Sequence, residues 1–284
     1  METTKNNSGK HRRDGETYQI TADEVKQYSD LGYLVLKEVL TDNEMKDLDY
    51  WFDHFISGKE MHQMDKDFCD MSQPYGTPVE DFQLVNAMCP SMYRPELANN
   101  IYFRIAQSIA NQLYNEGKAE MDYEQFLAKK PSKKGAEFAM HQDLGYWPKT
   151  ENTWTATFSL ALSDSDIING CLQVIPGTNK EKELRVHLPK PYHGNEGETM
   201  DRDTSHTLVI ESRKKDNPIF LPVKRGDVTI HDERIIHGSG GNSSNVWRKT
   251  YVMAFRDSET IKQERALGYT HSHNDKLDWK EVLG

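Results

Sequence analysis

Gly226-Asp227-Val228-Thr229-Ile230-His231-Asp232-Glu233-Arg234-Ile235-Ile236-His237-Gly238-Ser239-Gly240 reads as a glycine turn, a short apolar strand, and a histidine followed by small residues. A histidine so placed binds a metal only if other ligands face it. His141-Gln142-Asp143, much earlier in the chain, supplies candidates. Residues two apart in a strand project from one face, so an imidazole and a carboxylate can reach the same ion. Alone, such a triplet is weak, because it arises often by chance as hydrogen-bonded surface. With His237 it makes two histidines and one carboxylate, which can occupy one face of an octahedron and leave positions open for a chelating cosubstrate and oxygen. That is the non-haem iron(II) arrangement, although zinc could bind the same three groups. Arg248 follows His237 by eleven residues and starts the apolar run Lys249 to Phe255. Its forked guanidinium suits a carboxylate, although a lone arginine beside a strand is more often a surface residue.

Outward from these motifs the back half of the chain is all strand candidates: Phe126 to Ala128, Trp154 to Leu160, Cys171 to Ile175, Ile219 to Leu221, Asp227 to Ile230 and Lys249 to Phe255. The front half is helical. Thr21 with Glu24 three residues on predicts a capped helix to about Asp30, broken at Gly32, and Tyr33 to Leu36 then reads as a buried strand. A second helix opens at Thr41 and carries Met45, Leu48, Trp51, Phe52 and Phe55 at helical spacing, an aromatic stripe that reads as core instead of a cofactor site. Residues near Asp65 to Glu80 read as a loop, and a third helix within Pro95 to Gly117 shows Ile101, Ile105, Ile109, Leu113 and Tyr114 on one face. The long polar stretch from about Lys190 to Asn217, broken by Leu208-Val209-Ile210, reads equally as a lid or as a solvated insertion.

The length, 284 residues, suits one domain over 17–284 behind a polar, disordered tail at 1–16. A formal net charge of -10 argues against a nucleic-acid partner. Three cysteines without paired metal spacing read as buried thiols of a reducing compartment. No apolar stretch resembles a signal peptide or a membrane span, so a cytoplasmic location is expected.

The residues also carry a family likeness. Lys130-Pro131 with Phe138-Ala139-Met140-His141-Gln142-Asp143-Leu144-Gly145-Tyr146-Trp147-Pro148 resembles the proximal iron motif of phytanoyl-CoA hydroxylase-like enzymes. Asn169 to Lys180 is similar to their strand-and-turn signature, and His237-Gly238-Ser239-Gly240 followed by Arg248 resembles their distal motif. Tyr28 to Leu36 is similar to the family's opening, so the likeness runs from about residue 20 to 256. It implies a double-stranded β-helix, or jelly roll, mainly β with flanking helices. It also implies iron(II) at His141, Asp143 and His237, with 2-oxoglutarate and oxygen as cosubstrates. Arg248 would hold the distal carboxylate with help from Ser239, and Lys129 or Lys130 would add a positive charge. Gln142 would hydrogen-bond near the metal. The family pattern also leads to the expectation of an aromatic residue on the strand after the proximal motif, where the register is open between Trp154 and Thr157 to Ser159.

The implied reaction is oxidation, foremost hydroxylation, of an unactivated C–H bond in a small molecule, with release of succinate and carbon dioxide. Desaturation or oxidative cyclisation would use the same scaffold. Basic residues at Lys129, Lys130, Lys133, Lys134 and Arg213 to Lys215 are compatible with an anionic substrate, or with a solvated face. Two rivals from other classes are a non-catalytic jelly roll used for binding, against which all three ligands and Arg248 argue, and a zinc hydrolase, which would need a positioned general base.

Overall fold

The structure, a computed structural model, describes residues 12–114, 117–132, 135–189, 207–210 and 212–278. A hairpin of β1 (Arg13–Asp14) and β2 (Thr17–Tyr18) leads into α1 (Ala22–Leu31) and β3 (Tyr33–Leu36). Next come α2 (Lys46–Ile56), α3 (Met61–Met64), β4 (Phe68–Asp70), β5 (Leu84–Met88), α4 (Pro90–Tyr93) and α5 (Ile101–Leu113). Strands then dominate: β6 (Glu120–Lys129), β7 (Phe138–His141), β8 (Thr155–Ala161), β9 (Leu172–Ile175), β10 (His187–Pro189), β11 (Leu208–Ile210), β12 (Ile219–Leu221), β13 (Val228–Asp232), β14 (Ile236–Ser239) and β15 (Arg248–Arg256), closed by α6 (Ser258–Ala266).

Local chemistry explains the helix ends. Thr21 Oγ1 accepts from Glu24 N at 3.2 Å while the Glu24 carboxylate accepts from Thr21 N at 2.8 Å, a reciprocal cap. Gly32 ends α1 with φ 81°, and a Cβ there would sit 2.9 Å from the Asn179 side chain, so both backbone and space require glycine. Asn100 caps α5 by accepting from Phe103 N at 2.9 Å.

Seven antiparallel strands form one sheet in the order β3-β13-β8-β15-β6-β5-β4, and four form a second in the order β12-β9-β14-β7. Side chains alternate across the larger sheet. Phe126, Phe158, Tyr251 and Phe255 belong to the buried core shared with α2 and α5, where Phe52 and Phe55 lie 5.1 and 5.7 Å from the Phe126 ring. The alternate residues of the same strands, such as Gln125, Thr157 and Arg248, line a chamber whose other wall is the smaller sheet. The fold is a jelly roll with helices on its outer face.

The expected strands and helices are found, with ends moved by one to several residues. The differences have physical reasons. Residues 12–16, assigned above to the polar tail, lie in the first hairpin, where Arg12 pairs with Glu24 and Arg13 with Glu44, so the ordered part begins within that tail. Phe68–Asp70 is a strand inside the expected loop, and Leu84–Met88 was not singled out. The first is three residues long, and the second is buried at all five positions, so neither shows alternation. Most of the expected lid lies outside the described residues. Its apolar part, Leu208–Ile210, pairs with His187–Pro189. Cys69, Cys89 and Cys171 are free and buried. Among the described residues no helix is long and apolar enough to cross a membrane.

Arg256, at the end of β15, is fully buried. It donates to Asp122 Oδ2 at 2.9 Å, Glu264 Oε1 at 3.0 Å and Thr155 Oγ1 at 2.9 Å, and its guanidinium lies 4.2 Å from the Trp147 ring. The carboxylates of Asp122 and Glu264 are themselves sealed from solvent. Arg256→Leu is therefore expected to destabilise the protein by roughly 3–5 kcal/mol, because it removes the arginine from the buried Glu264 carboxylate and leaves Asp122 with only Arg265 and His271. Urea denaturation measures this, and a loss below about 1 kcal/mol would show that the network is dispensable.

Candidate active site

β7 and β14 are antiparallel neighbours in which His141 stands opposite His237, with ring centroids 4.2 Å apart. His141 is the last residue of its strand. Asp143 is not on the strand with it, as the two-residue spacing suggested, but opens a short 3-10 turn in which Tyr146 N donates to Asp143 O at 2.8 Å. The turn brings the carboxylate back between the imidazoles, so Asp143 Oδ1 lies 3.3 Å from Nε2 of both His141 and His237.

The protonation pattern follows from the partners. His141 Nδ1 faces Ala139 O at 2.7 Å and His237 Nδ1 faces Ile235 O at 3.0 Å. A carbonyl can only accept, so each Nδ1 carries its proton, and each ring in its neutral form presents a bare Nε2. Two nitrogen lone pairs and a carboxylate oxygen then converge in a buried place, an arrangement that repels itself unless a cation joins it. The three ligand atoms lie within 4.8 Å of one another, and the set fits iron(II).

Asp143 Oδ2, pointing away, accepts from Thr157 Oγ1 at 3.0 Å and faces His231 Nε2 at 3.1 Å. Burial opposes the Asp143 charge, but the surrounding imidazoles outweigh it and hold the carboxyl well below its ordinary value. Burial and the nearby His237 push the His141 and His231 imidazoles down to about 4. At His237 burial works against charge and Asp143 overrides it, so that ring is raised.

At the far end of the chamber Arg248 and Lys129 are register partners on β15 and β6, both buried. Lys129 Nζ donates to the carbonyls of Ser239, at 3.2 Å, and Gly240. Arg248 Nε has no partner. Neither cation meets a carboxylate among the described residues. Burial, and for Lys129 the neighbouring Arg248, disfavours both charges, which puts Lys129 well below its ordinary value and Arg248 at about 10. The hydroxyl residues Ser159, Ser239 and Thr250 line the same end. A chamber with two unpaired buried cations beside a metal-ready triad suits an anion carrying more than one negative charge.

A family model for phytanoyl-CoA dioxygenase (PhyH) matches residues 28–250. The chain belongs to the phytanoyl-CoA dioxygenase family. As a member it is an iron(II)- and 2-oxoglutarate-dependent dioxygenase. It is 24% identical over 262 residues to the peroxisomal phytanoyl-CoA dioxygenase of Rattus norvegicus, covering 84% of this chain and 69% of that one. Among solved structures it resembles EvdO2 from Micromonospora carbonacea var. aurantiaca complexed with 2-oxoglutarate, with TM-score 0.66, 21% identity, and 84% and 92% of the two chains covered. It also resembles SnoK, a non-heme alpha ketoglutarate dependent carbocyclase from nogalamycin biosynthesis, with TM-score 0.64, 20% identity, and 84% and 85% covered.

Within this family member the other expected site residues separate. Lys129 faces the chamber. Lys130 does not, because alternation turns it outward, where its Nζ donates to Glu80 O at 3.0 Å. Gln142 is buried beside the site and ties two loops together, donating to Arg234 O at 2.6 Å and accepting from Arg185 N at 2.9 Å, so both ends of its amide are engaged in the loops. On β8 Thr157 and Ser159 line the chamber, Phe158 packs on Phe255 at 5.3 Å, and Trp154 lies against Tyr114 at 4.7 Å. That strand therefore brings no aromatic ring to the chamber, and Tyr123 and Phe138 are the rings that line it. Of the residues read as a possible anion site, Arg213 reaches Glu181 at 3.4 Å, while Lys133 and Lys134 lie outside the described residues.

Thr157, His231, Tyr123 and Gln125 were missed. Each shares its strand face with a residue named above or directly supports one, a signal that needs the strand register before it can be read.

The unpaired cations make a direct prediction. Lys129→Met is expected to raise the melting temperature of the cosubstrate-free protein, since it removes a buried charge that sits in register with the cation of Arg248. 2-Oxoglutarate should then stabilise the variant less than wild type in thermal scans. A variant that melts below wild type without cosubstrate would show that the bonds to Ser239 and Gly240 hold that end of the barrel.

Proposed function

We propose that His141, Asp143 and His237 hold the iron, that Arg248 and Lys129 hold the distal carboxylate of 2-oxoglutarate with Ser239 beside them, and that the enzyme hydroxylates an unactivated C–H bond of a small molecule. The observation that carries this reading is the pairing, in one chamber, of a bare His–Asp–His donor set with two buried cations that no carboxylate among the described residues neutralises.

The protein's own residues position and shield. The backbone carbonyls of Ala139 and Ile235 keep both imidazoles in the metal-binding tautomer. Thr157 and His231 fix Oδ2 of Asp143, leaving Oδ1 for the ion. The guanidinium fork and the ammonium anchor the cosubstrate at its far end, which fixes where its near end lies. Iron with 2-oxoglutarate and oxygen supplies an oxidant able to take hydrogen from an unactivated carbon, with succinate and carbon dioxide released. The substrate enters from an outer cleft that adjoins the chamber at Tyr123, Gln125, Phe138, His141 and Asp143. An anionic substrate was suggested by the basic residues. Lys129 instead serves the cosubstrate side, so the demand for negative charge is met by 2-oxoglutarate. The likeness to a carbocyclase fold keeps ring closure as the second outcome, and product mass separates a gain of one oxygen from a loss of two hydrogens.

Two sets of variants test the assignment. His141→Ala and His237→Ala should lose tight iron(II) binding and turnover, while His231→Phe should weaken iron about 10–100-fold by freeing the carboxylate. A normal iron content in either alanine variant would remove the ligand assignment. Arg248→Ala should keep iron but weaken 2-oxoglutarate about tenfold to a hundredfold, the equivalent of ~1.5–3 kcal/mol of charge-assisted hydrogen bonding. Arg248→Lys, with the charge but not the fork, should fall between. Unchanged cosubstrate affinity in iron-loaded Arg248→Ala would assign the anchor to another residue.

A further inference from the structure

The outer cleft shares Tyr123 and Gln125 with the inner chamber, so these two residues, on one face of β6, stand where a substrate would meet the reacting centre. Each is polar, and neither side chain has a hydrogen-bond partner among the described residues. Tyr123 is 7% exposed and is held rigidly: its ring stacks on His271 at 4.2 Å and 26°, and meets Trp147 edge-on at 6.1 Å. His271 is fixed in turn by Asp122 Oδ2 at 2.7 Å and the Tyr269 hydroxyl at 3.2 Å. A phenol oriented this firmly, with its hydroxyl unclaimed, is prepared for a ligand's polar atom.

The rest of the cleft limits what that ligand is. Six aromatic rings line it: Tyr75, Tyr123, Phe138, Tyr146, Trp147 and Tyr269. Formal charge is sparse among the lining residues. Asp275 is already occupied, both its oxygens accepting from Thr270, through Oγ1 at 2.8 Å and through the backbone N–H at 2.5 Å. Lys66 is exposed, with its ammonium 5.2 Å from the Tyr75 ring centroid. Among the described lining residues a strongly anionic ligand would find one peripheral lysine, and a cation would find only Asp275, already engaged, and Asp143 of the metal-ready triad. Rigid aromatic walls favour a ligand that presents a ring, because stacking adds to area burial and a ring loses little conformational freedom on binding.

We propose that this cleft takes a neutral, ring-containing substrate bearing a hydroxyl or carbonyl, and that Tyr123 and Gln125 are its specificity-determining residues, holding that oxygen beside the reacting centre. The proposal deepens the dioxygenase reading and rests on it. One wall of the cleft, Tyr269 to Asp275, lies beyond residue 250, where the family match ends. It is tied down by the buried network of Arg256, Asp122, Glu264 and His271.

The experiment is anaerobic calorimetry on the full chain loaded with iron(II) and 2-oxoglutarate, whose visible absorption band reports an intact centre. 2-Naphthol is the neutral hydroxylated ring, 2-methylnaphthalene the ring without a polar oxygen, and 2-naphthoate and decanoate are the anions. 2-Naphthol is expected to bind more tightly than either anion. Tyr123→Phe, which keeps the ring and its stacking, and Gln125→Leu should each weaken 2-naphthol about three- to tenfold while changing 2-methylnaphthalene less than about twofold, as loss of one hydrogen bond requires. Tighter binding of 2-naphthoate or decanoate overturns the proposal, and so does an equal loss for both naphthalenes in the variants. Failure of 2-naphthol to bind protein that shows the band overturns it too. If the wild type shows no band, the iron and cosubstrate reading itself has failed, and the proposal falls with it.

Discussion

The register of β7 against β14 is the constraint on which the site depends. It sets His141 opposite His237, and the Nδ1 proton of each is claimed by a backbone carbonyl two residues earlier, Ala139 within β7 and Ile235 just before β14. The backbone beside each ring thus fixes its tautomer locally, while the pairing of the strands sets the two rings opposite each other, and a one-residue slip would turn one of them to the other face. Asp143 completes the set only because the chain leaves the strand immediately after His141 and turns, so the same spacing that reads as one strand face works through a different geometry. Thr157 and His231, from two strands of the opposite sheet, then hold the carboxylate from behind. Both sheets must be closed on each other for the three ligand atoms to converge.

That convergence has an electrostatic cost which the fold does not offset internally. Bare imidazole nitrogens face a carboxylate at one end of the chamber, and an arginine and a lysine face each other's charge at the other. Inside a protein such groups are stabilising only when their partners are present. Under the proposed assignment the partners are a metal ion and a dianionic cosubstrate, so the interactions that make the barrel less stable without them are the ones that make it bind. The contrast with Arg256 is instructive. That guanidinium is as buried as Arg248, but it meets two carboxylates, a hydroxyl and a tryptophan face, and it serves structure alone.

Much of this was legible in the sequence, for reasons that differ by element. The capping pair Thr21 and Glu24, the glycine stop at Gly32 and the aromatic stripe of α2 are local signals and transfer directly to the structure. The metal triad was legible as a set of residue types in a family order. What could not be read was anything that depends on which face of a strand is inside. Lys129 and Lys130 are neighbours in sequence and opposite in fate, and β8 places Thr157 and Ser159 inward and Phe158 outward, so the expected aromatic wall comes from other strands. Gln142 was misread for a related reason: beside a ligand in sequence, it is turned into the loop network behind it.

The two ends of the molecule's chemistry are encoded differently. The residues proposed for iron and cosubstrate lie on regular strands, apart from Asp143 on the turn after β7, all inside the family-matched stretch, where pleat and register place an atom with little freedom. The outer cleft is built from the inner edge of β6, the turn after His141, and a C-terminal segment that has no regular structure of its own but is anchored by ion pairs and a stacked imidazole. A segment held by a few strong contacts can change its side chains without disturbing the barrel, provided the anchors stay. His271 is such an anchor, bonded to Asp122 on one side and stacked on Tyr123 on the other. Substrate choice and the shared oxidative chemistry therefore meet at a single ring, and a change in the C-terminal segment reaches the reacting centre through Tyr123 without passing through the metal ligands.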